Sequence, residues 1–170
     1  GYGGVADSYS PEQLQQYLID YSARNEHIRK AQFHVAISCR GHEYTQEQLL
    51  HKPHNIIRHP DMPRIVFKLL WERIKAKQEI FAFVKNKSFD GGFYWVFANV
   101  TASLDAKGEI IGYHSVRRKP NADGVKFIEG VYKQLLDAEK SGGMKASGKL
   151  LEQILADAGI SYDELVHKLQ

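Results

Sequence analysis

The hydrophobic pattern is most regular in the middle of the chain, where one helical stretch precedes three strand-like stretches. Apolar residues recur at helical spacing over residues 64–77, which predicts an amphipathic helix with one buried stripe. β-type runs follow at residues 79–86, 93–101 and 109–118, and short turns containing Asp and Gly separate them. Turns this short join neighbouring strands, so the pattern predicts an antiparallel meander with the helix across one face.

Upstream of this region, the pattern predicts one helix and one strand. A capping box that begins at Ser10 starts a helix whose apolar stripe continues to about Asn25. Residues 32–39 alternate between apolar and polar side chains, which is typical of a half-buried strand. Because a strand with one apolar face needs a partner, we expect this strand to join the meander.

Beyond Asn121 the pattern is helical again. We predict helices over residues 124–140 and 146–158, separated by a break at two glycines, and a third helix that starts with a capping box at Ser161. Short isolated helices are marginal in water, and these have wide apolar faces. We therefore expect the tail to dock on the sheet or on a second copy of the protein.

Charge is distributed unevenly around a net value of +3, because residues 51–120 carry 13 Lys or Arg against 6 Asp or Glu. A basic centre is compatible with nucleic acid or with a phosphate-bearing ligand, but an ordinary solvated surface is the favoured interpretation. Five cations on the predicted strands and turns would be nucleic-acid contacts in the first case, but we expect them to be exposed strand-edge and turn charges. These cations are Lys85, Lys87, Arg117, Arg118 and Lys119.

Other chemistry is sparse. Cys39 is the single cysteine, which excludes a disulfide framework and favours a reducing cytoplasm. No apolar run is long enough to span a bilayer, and nothing resembles a secretion leader, so we expect a cytoplasmic protein without a membrane span. His51, His54 and His59 lie close together, but on a proline-broken loop they do not predict a metal site. No catalytic constellation is found, and we expect no enzymatic activity.

Six short segments, in order and at matching spacing, resemble PAS sensor domains of the aerotaxis-receptor type. They read KPHNIIRHPDMP at 52–63, VKN at 84–86, DG at 90–91, YWV at 94–96, ANV at 98–100 and GYHSVR at 112–117. The resemblance covers residues 46–121 and implies an α/β, PAS-like antiparallel sheet with flanking helices. Residues 122–170 resemble the helical tail of single-domain bacterial relatives.

Members of this family bind FAD non-covalently and report redox state through contacts with a signalling partner. The resemblance implies cofactor binding by six residues, namely Arg58, His59, Asp61, Trp71, Asn86 and Asn99. Their chemistry is suitable, because flavin sites combine an apolar slot with a few convergent polar groups and Arg grips phosphate bidentately. We expect the first four of these residues to line one cavity between the long helix and the sheet.

Each of these assignments has a simpler alternative. Arg58 and Asp61 are close enough in sequence to pair with each other across a turn, and Trp71 is the kind of large aromatic that usually fills a core. The chain also departs from the family. Ile80 stands where the family usually has a tryptophan, and the two opening strands of the family are not found, so we expect weakened FAD binding.

Residues 9–45 resemble instead the N-terminal region of mobilisation relaxases, through YLIDYSARN at 17–25 and QFHVAISCRG at 32–41. Those plasmid-nicking enzymes use a His-x-His motif to hold a metal, and no two of the eight histidines here have that spacing. Tyr17 and Tyr21 resemble the nucleophile of those enzymes. Both lie on the apolar stripe of their helix, however, which favours a role in hydrophobic packing. The chain thus divides into segments 1–45, 46–121 and 122–170.

The leading hypothesis is therefore a bacterial flavoprotein module for redox or oxygen sensing, as in aerotaxis and chemotaxis. Such a module signals through protein contacts, with a signalling partner or as a homodimer. Two alternatives stay open. One is a degenerate plasmid-mobilisation fragment that binds DNA, and nucleic acid is the less favoured partner. The other is a PAS scaffold that binds no ligand.

Overall fold

The computed structural model describes residues 54–88 and 90–170 of the chain. In chain order these residues form a 3-10 helix (His54–Ile57), helix α1 (Arg64–Lys75), strands β1 (Ile80–Lys87), β2 (Phe93–Leu104) and β3 (Ile110–Arg118), and helices α2 (Ala122–Ala158) and α3 (Tyr162–Leu169). The predicted strand at 32–39 and the relaxase-like segment 1–45 lie outside the described residues.

The three strands form an antiparallel sheet in the order β1-β2-β3, which confirms the predicted meander. The register pairs Phe83 with Phe97 across β1 and β2, and Ala98 with Arg117 across β2 and β3. Gly91 has φ 85° in the first turn, a left-handed conformation that favours glycine. Strand β2 continues to Leu104, beyond the predicted end at 101, because its last residues still pair with β3.

Helices pack against both faces of this sheet, and the register shows which strand residues belong to each face. We call the face that carries Ala82, Val96 and Tyr113 the inner face, and the face that carries Phe83, Trp95 and Phe97 the outer face. Helix α1 lies on the inner face, where the Trp71 ring packs edge-on against Tyr113 at 5.7 Å between ring centres. An apolar run without alternation, as in β1, is the pattern expected when both faces are buried.

The helical tail covers the outer face, which confirms that it docks on the sheet. The Tyr132 hydroxyl of α2 donates a hydrogen bond of 2.7 Å to the backbone oxygen of Phe83. The Tyr162 hydroxyl of α3 donates one of 2.8 Å to the backbone oxygen of Phe81. These two tyrosines attach the tail to β1, because each places a buried hydroxyl on a carbonyl of the edge strand.

The tail helices largely follow the predicted pattern. Helix α2 begins at Ala122, where the Asn121 side chain accepts from the amides of Asp123 and Gly124 at 2.9 and 3.0 Å. It kinks at Gly143, whose φ of 67° and ψ of −164° are not helical, at the predicted break. Helix α3 starts with the predicted capping box between Ser161 and Glu164.

Candidate functional site

The loop before α1 adds to the free edge of β1. Arg58 forms an isolated antiparallel bridge with Asn86, and the His59 amide donates to the backbone oxygen of Lys85 at 3.2 Å. Because successive residues of an extended chain point to opposite faces, Arg58 and His59 emerge on different sides of the sheet. This pairing decides which loop residues share a site.

Arg58 points to the inner face, on the same side as its bridge partner Asn86. Its guanidinium lies over the Phe67 ring of α1, with 3.5 Å between the guanidinium carbon and the ring centre. Its Nε is buried and has no hydrogen-bond partner among the described residues. Burial also lowers the pKa of Arg58 from its ordinary value. A desolvated cation with an open donor is suited to an anionic group.

Two further predicted site residues lie on the inner face. Asn86 is 3% exposed and belongs to this face by its pairing with Tyr94. Trp71 is half-buried on α1 beside Tyr113. We call Arg58, Trp71 and Asn86 the inner-face group. It combines a cation, an aromatic ring and an amide, which is the chemistry expected around an aromatic ligand that carries phosphate.

His59 and Asp61 lie on the opposite side of the loop. The His59 Nδ1 accepts from the Asp61 amide at 3.1 Å, and the His59 ring packs edge-on against Phe93 of the outer face. Burial is the main cause that lowers the pKa of His59. The Asp61 carboxylate accepts a 2.7 Å hydrogen bond from the Lys85 ammonium, and this bond holds the pKa of Asp61 below its usual value.

Asp61 therefore pairs with Lys85, and the alternative pairing of Arg58 with Asp61 is not formed. The reason is the alternation at the β1 edge, which sends Arg58 to the inner face. The expectation that Lys85 is an exposed edge charge is also wrong, because its side chain is 6% exposed. Its ammonium contacts Glu129 of α2 at 3.3 Å and lies 4.2 Å from the centre of the Phe93 ring.

A signal for the burial of Lys85 was present in the sequence. Lys85 has the same strand parity as Phe81 and Phe83, so it belongs to the outer face. That signal becomes useful only when the tail is known to cover this face. The site that results joins the loop, β1 and α2 through three charged groups, Asp61, Lys85 and Glu129.

Asn99 also lies on the outer face, since it pairs with Phe81 in the register. Its side-chain amide donates to the Glu79 carboxylate at 3.1 Å. The six residues assigned to cofactor binding thus divide into the inner-face group and an outer set of His59, Asp61 and Asn99. The structure does not bring Arg58, His59, Asp61 and Trp71 into one cavity.

An open cavity of about 580 Å³ lies on the outer side, between α2 and the loop. Aromatic side chains and charges of both signs line it, including Trp95, Tyr132, Asp61, Glu129, Lys133 and Lys140. Among the described residues, no three His, Cys, Asp or Glu side chains cluster as metal ligands. No helix in the same part of the chain is long and apolar enough to cross a membrane.

The fold and the loop geometry agree with a direct family match. Residues 39–117 match the family model of the PAS fold. This part of the chain is a PAS domain, which confirms the resemblance of residues 46–121. The match supports a sensory signal-transduction module. The resemblance of residues 9–45 to relaxases is not shown and stays a prediction.

Particular relatives support the same class. The chain is 37% identical over 92 residues to the aerotaxis receptor of Escherichia coli (strain K12), a match that covers 54% of this chain and 18% of the receptor. It is 28% identical over 80 residues to a nitrogen fixation regulatory protein of Klebsiella pneumoniae, covering 47% of this chain and 16% of that protein. The chain therefore spans less than a fifth of each relative.

Among solved structures, the light state of the blue-light photoreceptor Aureochrome1 LOV is similar to this chain. The alignment has 26% sequence identity and a TM-score of 0.45, and it covers 51% of this chain and 68% of that one.

Proposed function

We propose that this PAS domain is a non-catalytic redox or oxygen sensor that binds FAD through its inner-face group. The observation that carries the proposal is Arg58, whose guanidinium is stacked on Phe67 while its Nε has no partner in the described part of the chain. A buried donor without a partner costs free energy, and a ligand phosphate offers a charge-assisted bond. The resemblance of residues 52–63 to aerotaxis-receptor loops supports the choice of FAD.

The inner-face residues have separate roles in this proposal. Arg58 binds phosphate, the amide of Asn86 orients the polar edge of the ring system, and Trp71 packs against its apolar surface. FAD, when bound, supplies the redox chemistry, and the protein supplies binding and orientation. Ile80 is fully buried at the position where the resemblance implies a tryptophan, which is a reason to expect weaker binding than in the family.

The output of such a sensor passes to another protein molecule, either a signalling partner or a second copy of this chain. The tail is the natural route, since it covers the sheet face opposite the inner-face group. The non-enzymatic role and the cytoplasmic location belong to the proposal. Cys39 as the single cysteine supports the second of these.

The test is an absorption spectrum of the purified protein followed by titration with FAD. Arg58→Ala and Trp71→Ala should each weaken binding by about 10- to 100-fold, the range for loss of a phosphate grip or a buried aromatic contact. The two asparagines form a matched pair. Asn86→Ala on the inner face should weaken binding, whereas Asn99→Ala on the outer face should leave the Kd unchanged.

Other outcomes contradict the proposal in different ways. Full FAD occupancy in both Arg58→Ala and Trp71→Ala would mean that these residues are structural. A colourless protein that takes up no added FAD would favour the ligand-free scaffold. A DNA mobility shift that weakens steeply with salt would favour the plasmid-mobilisation alternative, because phosphate contacts release counterions.

A further inference from the structure

Helix α1 begins without a cap of its own. Its first flanking residue is Pro63, which makes no side-chain capping bond, and its first turn contains no acidic residue. The cap comes from the tail instead. The carboxylate of Glu139 in α2 accepts from the Ile65 amide at 2.9 Å and from the Arg64 Nε at 3.3 Å. A carboxylate here satisfies a free amide and stabilises the positive end of the helix.

Glu139 also connects the two halves of α2. The Ser147 hydroxyl donates to the Glu139 carboxylate at 3.2 Å, across the kink at Gly143. Ser147 is fully buried and Glu139 is 9% exposed. The kink brings the second half of α2 against α1, so that a methyl group added at Gly148 would sit 3.4 Å from the Ile65 side chain. We call Glu139, Ile65 and Ser147 the Glu139 junction.

Three segments therefore meet at one buried carboxylate. The remaining attachment of residues 144–158 to the core is mainly apolar, through Leu150, Leu151, Ile154 and Leu155, which are only partly buried. Loss of the carboxylate would leave the Ile65 amide without this acceptor and the Ser147 hydroxyl with only the Met144 backbone oxygen, at 3.2 Å. An unsatisfied buried group is costly, so separating the start of α1 from the second half of α2 destabilises both segments.

We propose that the Glu139 junction makes the start of α1 and residues 144–158 open and close as one unit. The loop that carries Arg58 ends at Pro63, directly before this junction, so a change at the loop reaches the second half of α2 through α1. The premise that ligand binding causes this change at the loop rests on the proposed function. Coupling is reciprocal, so a perturbation of residues 144–158 must also loosen the start of α1.

Amide hydrogen exchange of the full chain, read by mass spectrometry, tests the proposal. Glu139→Ala should speed exchange about tenfold in two regions, residues 65–68 and 144–158, while β1 to β3 stay protected. Asp137→Ala is the matched control on the same helix, because the Asp137 side chain is 61% exposed and its carboxylate pairs with the neighbouring Lys140 at 3.4 Å. Glu139→Gln keeps an acceptor and should give an intermediate effect. It replaces Glu139→Ala in the comparison if that variant does not fold.

Ser147→Ala is the decisive variant, because Ser147 lies beyond the kink and reaches Ile65 through Glu139. Faster exchange at residues 65–68 in this variant would support the coupling. Faster exchange confined to residues 144–158 would overturn it. Equal exchange rates in Glu139→Ala and Asp137→Ala would overturn it as well.

The link to the ligand is measured with added FAD. Saturating FAD should change exchange at residues 144–158 in the wild-type chain and not in Glu139→Ala. If FAD binds and these residues do not respond, the route from loop to tail is wrong. If FAD does not bind, the proposed function fails, and the comparison of Ser147→Ala with the wild type in the absence of FAD still decides the coupling.

Discussion

The two faces of the sheet differ in whether their buried polar groups have hydrogen-bond partners. On the inner face, the buried Arg58 Nε has no hydrogen-bond partner within the described residues. On the outer face, Lys85 contacts two carboxylates, and the tyrosine hydroxyls of the tail bond to β1 carbonyls. Buried polar groups are normally satisfied within a protein. The unpaired donor on the inner face fits the proposed ligand site, and the paired groups on the outer face fit a permanent junction with the tail.

This difference separates neighbours in the sequence. Arg58 and His59 are adjacent, and family resemblance assigns both to the cofactor, yet they belong to opposite faces. The loop thus has one side directed at the candidate ligand site and another directed at the tail. A sensor needs such an element, because the group that detects and the group that reports must be mechanically connected.

The largest expected effect comes from removing residues 122–170. The tail covers Phe83 and Phe97, which are fully buried on the outer face, and contributes the buried Leu135 and Val166. Without it the outer face becomes a large exposed apolar surface, and such surfaces drive association. We expect loss of the cooperative thermal transition or a change in oligomeric state, measured by calorimetry and light scattering. A truncated chain with unchanged Tm and size would show that the outer face needs no cover.

A smaller effect should follow from removing the two tyrosine hydroxyls. Tyr132→Phe and Tyr162→Phe each delete a hydrogen bond to a β1 carbonyl and should lower the free energy of unfolding by about 1–2 kcal/mol. Chemical denaturation measures this loss. An unchanged free energy of unfolding in both variants would show that these hydroxyls do not attach the tail to β1.

The same tyrosines predict a dependence on alkaline pH. Burial raises the pKa of both above the ordinary value of 10.0. A raised pKa in the folded state means that their contribution to stability is complete below pH 10 and is lost as the pH rises further. The wild-type chain should therefore lose stability above about pH 10. The double Tyr132→Phe, Tyr162→Phe variant should lose less over the same range, and an identical slope would contradict this account.

The smallest effect concerns the pair of Lys85 and Asp61. Lys85 lowers the pKa of Asp61 from 3.8, so the pair stabilises the fold above that pH and stops doing so as the pH falls through the lower value. Asp61 is 59% exposed, and the contribution should stay below about 1 kcal/mol. In Lys85→Met the pKa of Asp61 should rise toward its ordinary value, as followed by carboxyl NMR. Lys87→Met is the neighbouring control and should leave that pKa in place.

Local spacing in the sequence determined the elements of this protein. The stripe of α1, the three strands with their turns, the break at Gly143 and the capping box at Ser161 were all predictable. Each depends on residues within a few positions of one another, and the physical rule for each is short-range. The chemistry of the loop, with one cation and one carboxylate near a long helix, was likewise visible.

Only the tertiary structure decided how those groups are used. The bridge between Arg58 and Asn86 sets which loop residues face the helix and which face the tail. Lys85 is buried because α2 covers it, and the cap of α1 comes from Glu139, 74 residues further along the chain than Ile65. Such contacts depend on strand register and on how the helices pack, and neither is encoded in the spacing of any one segment.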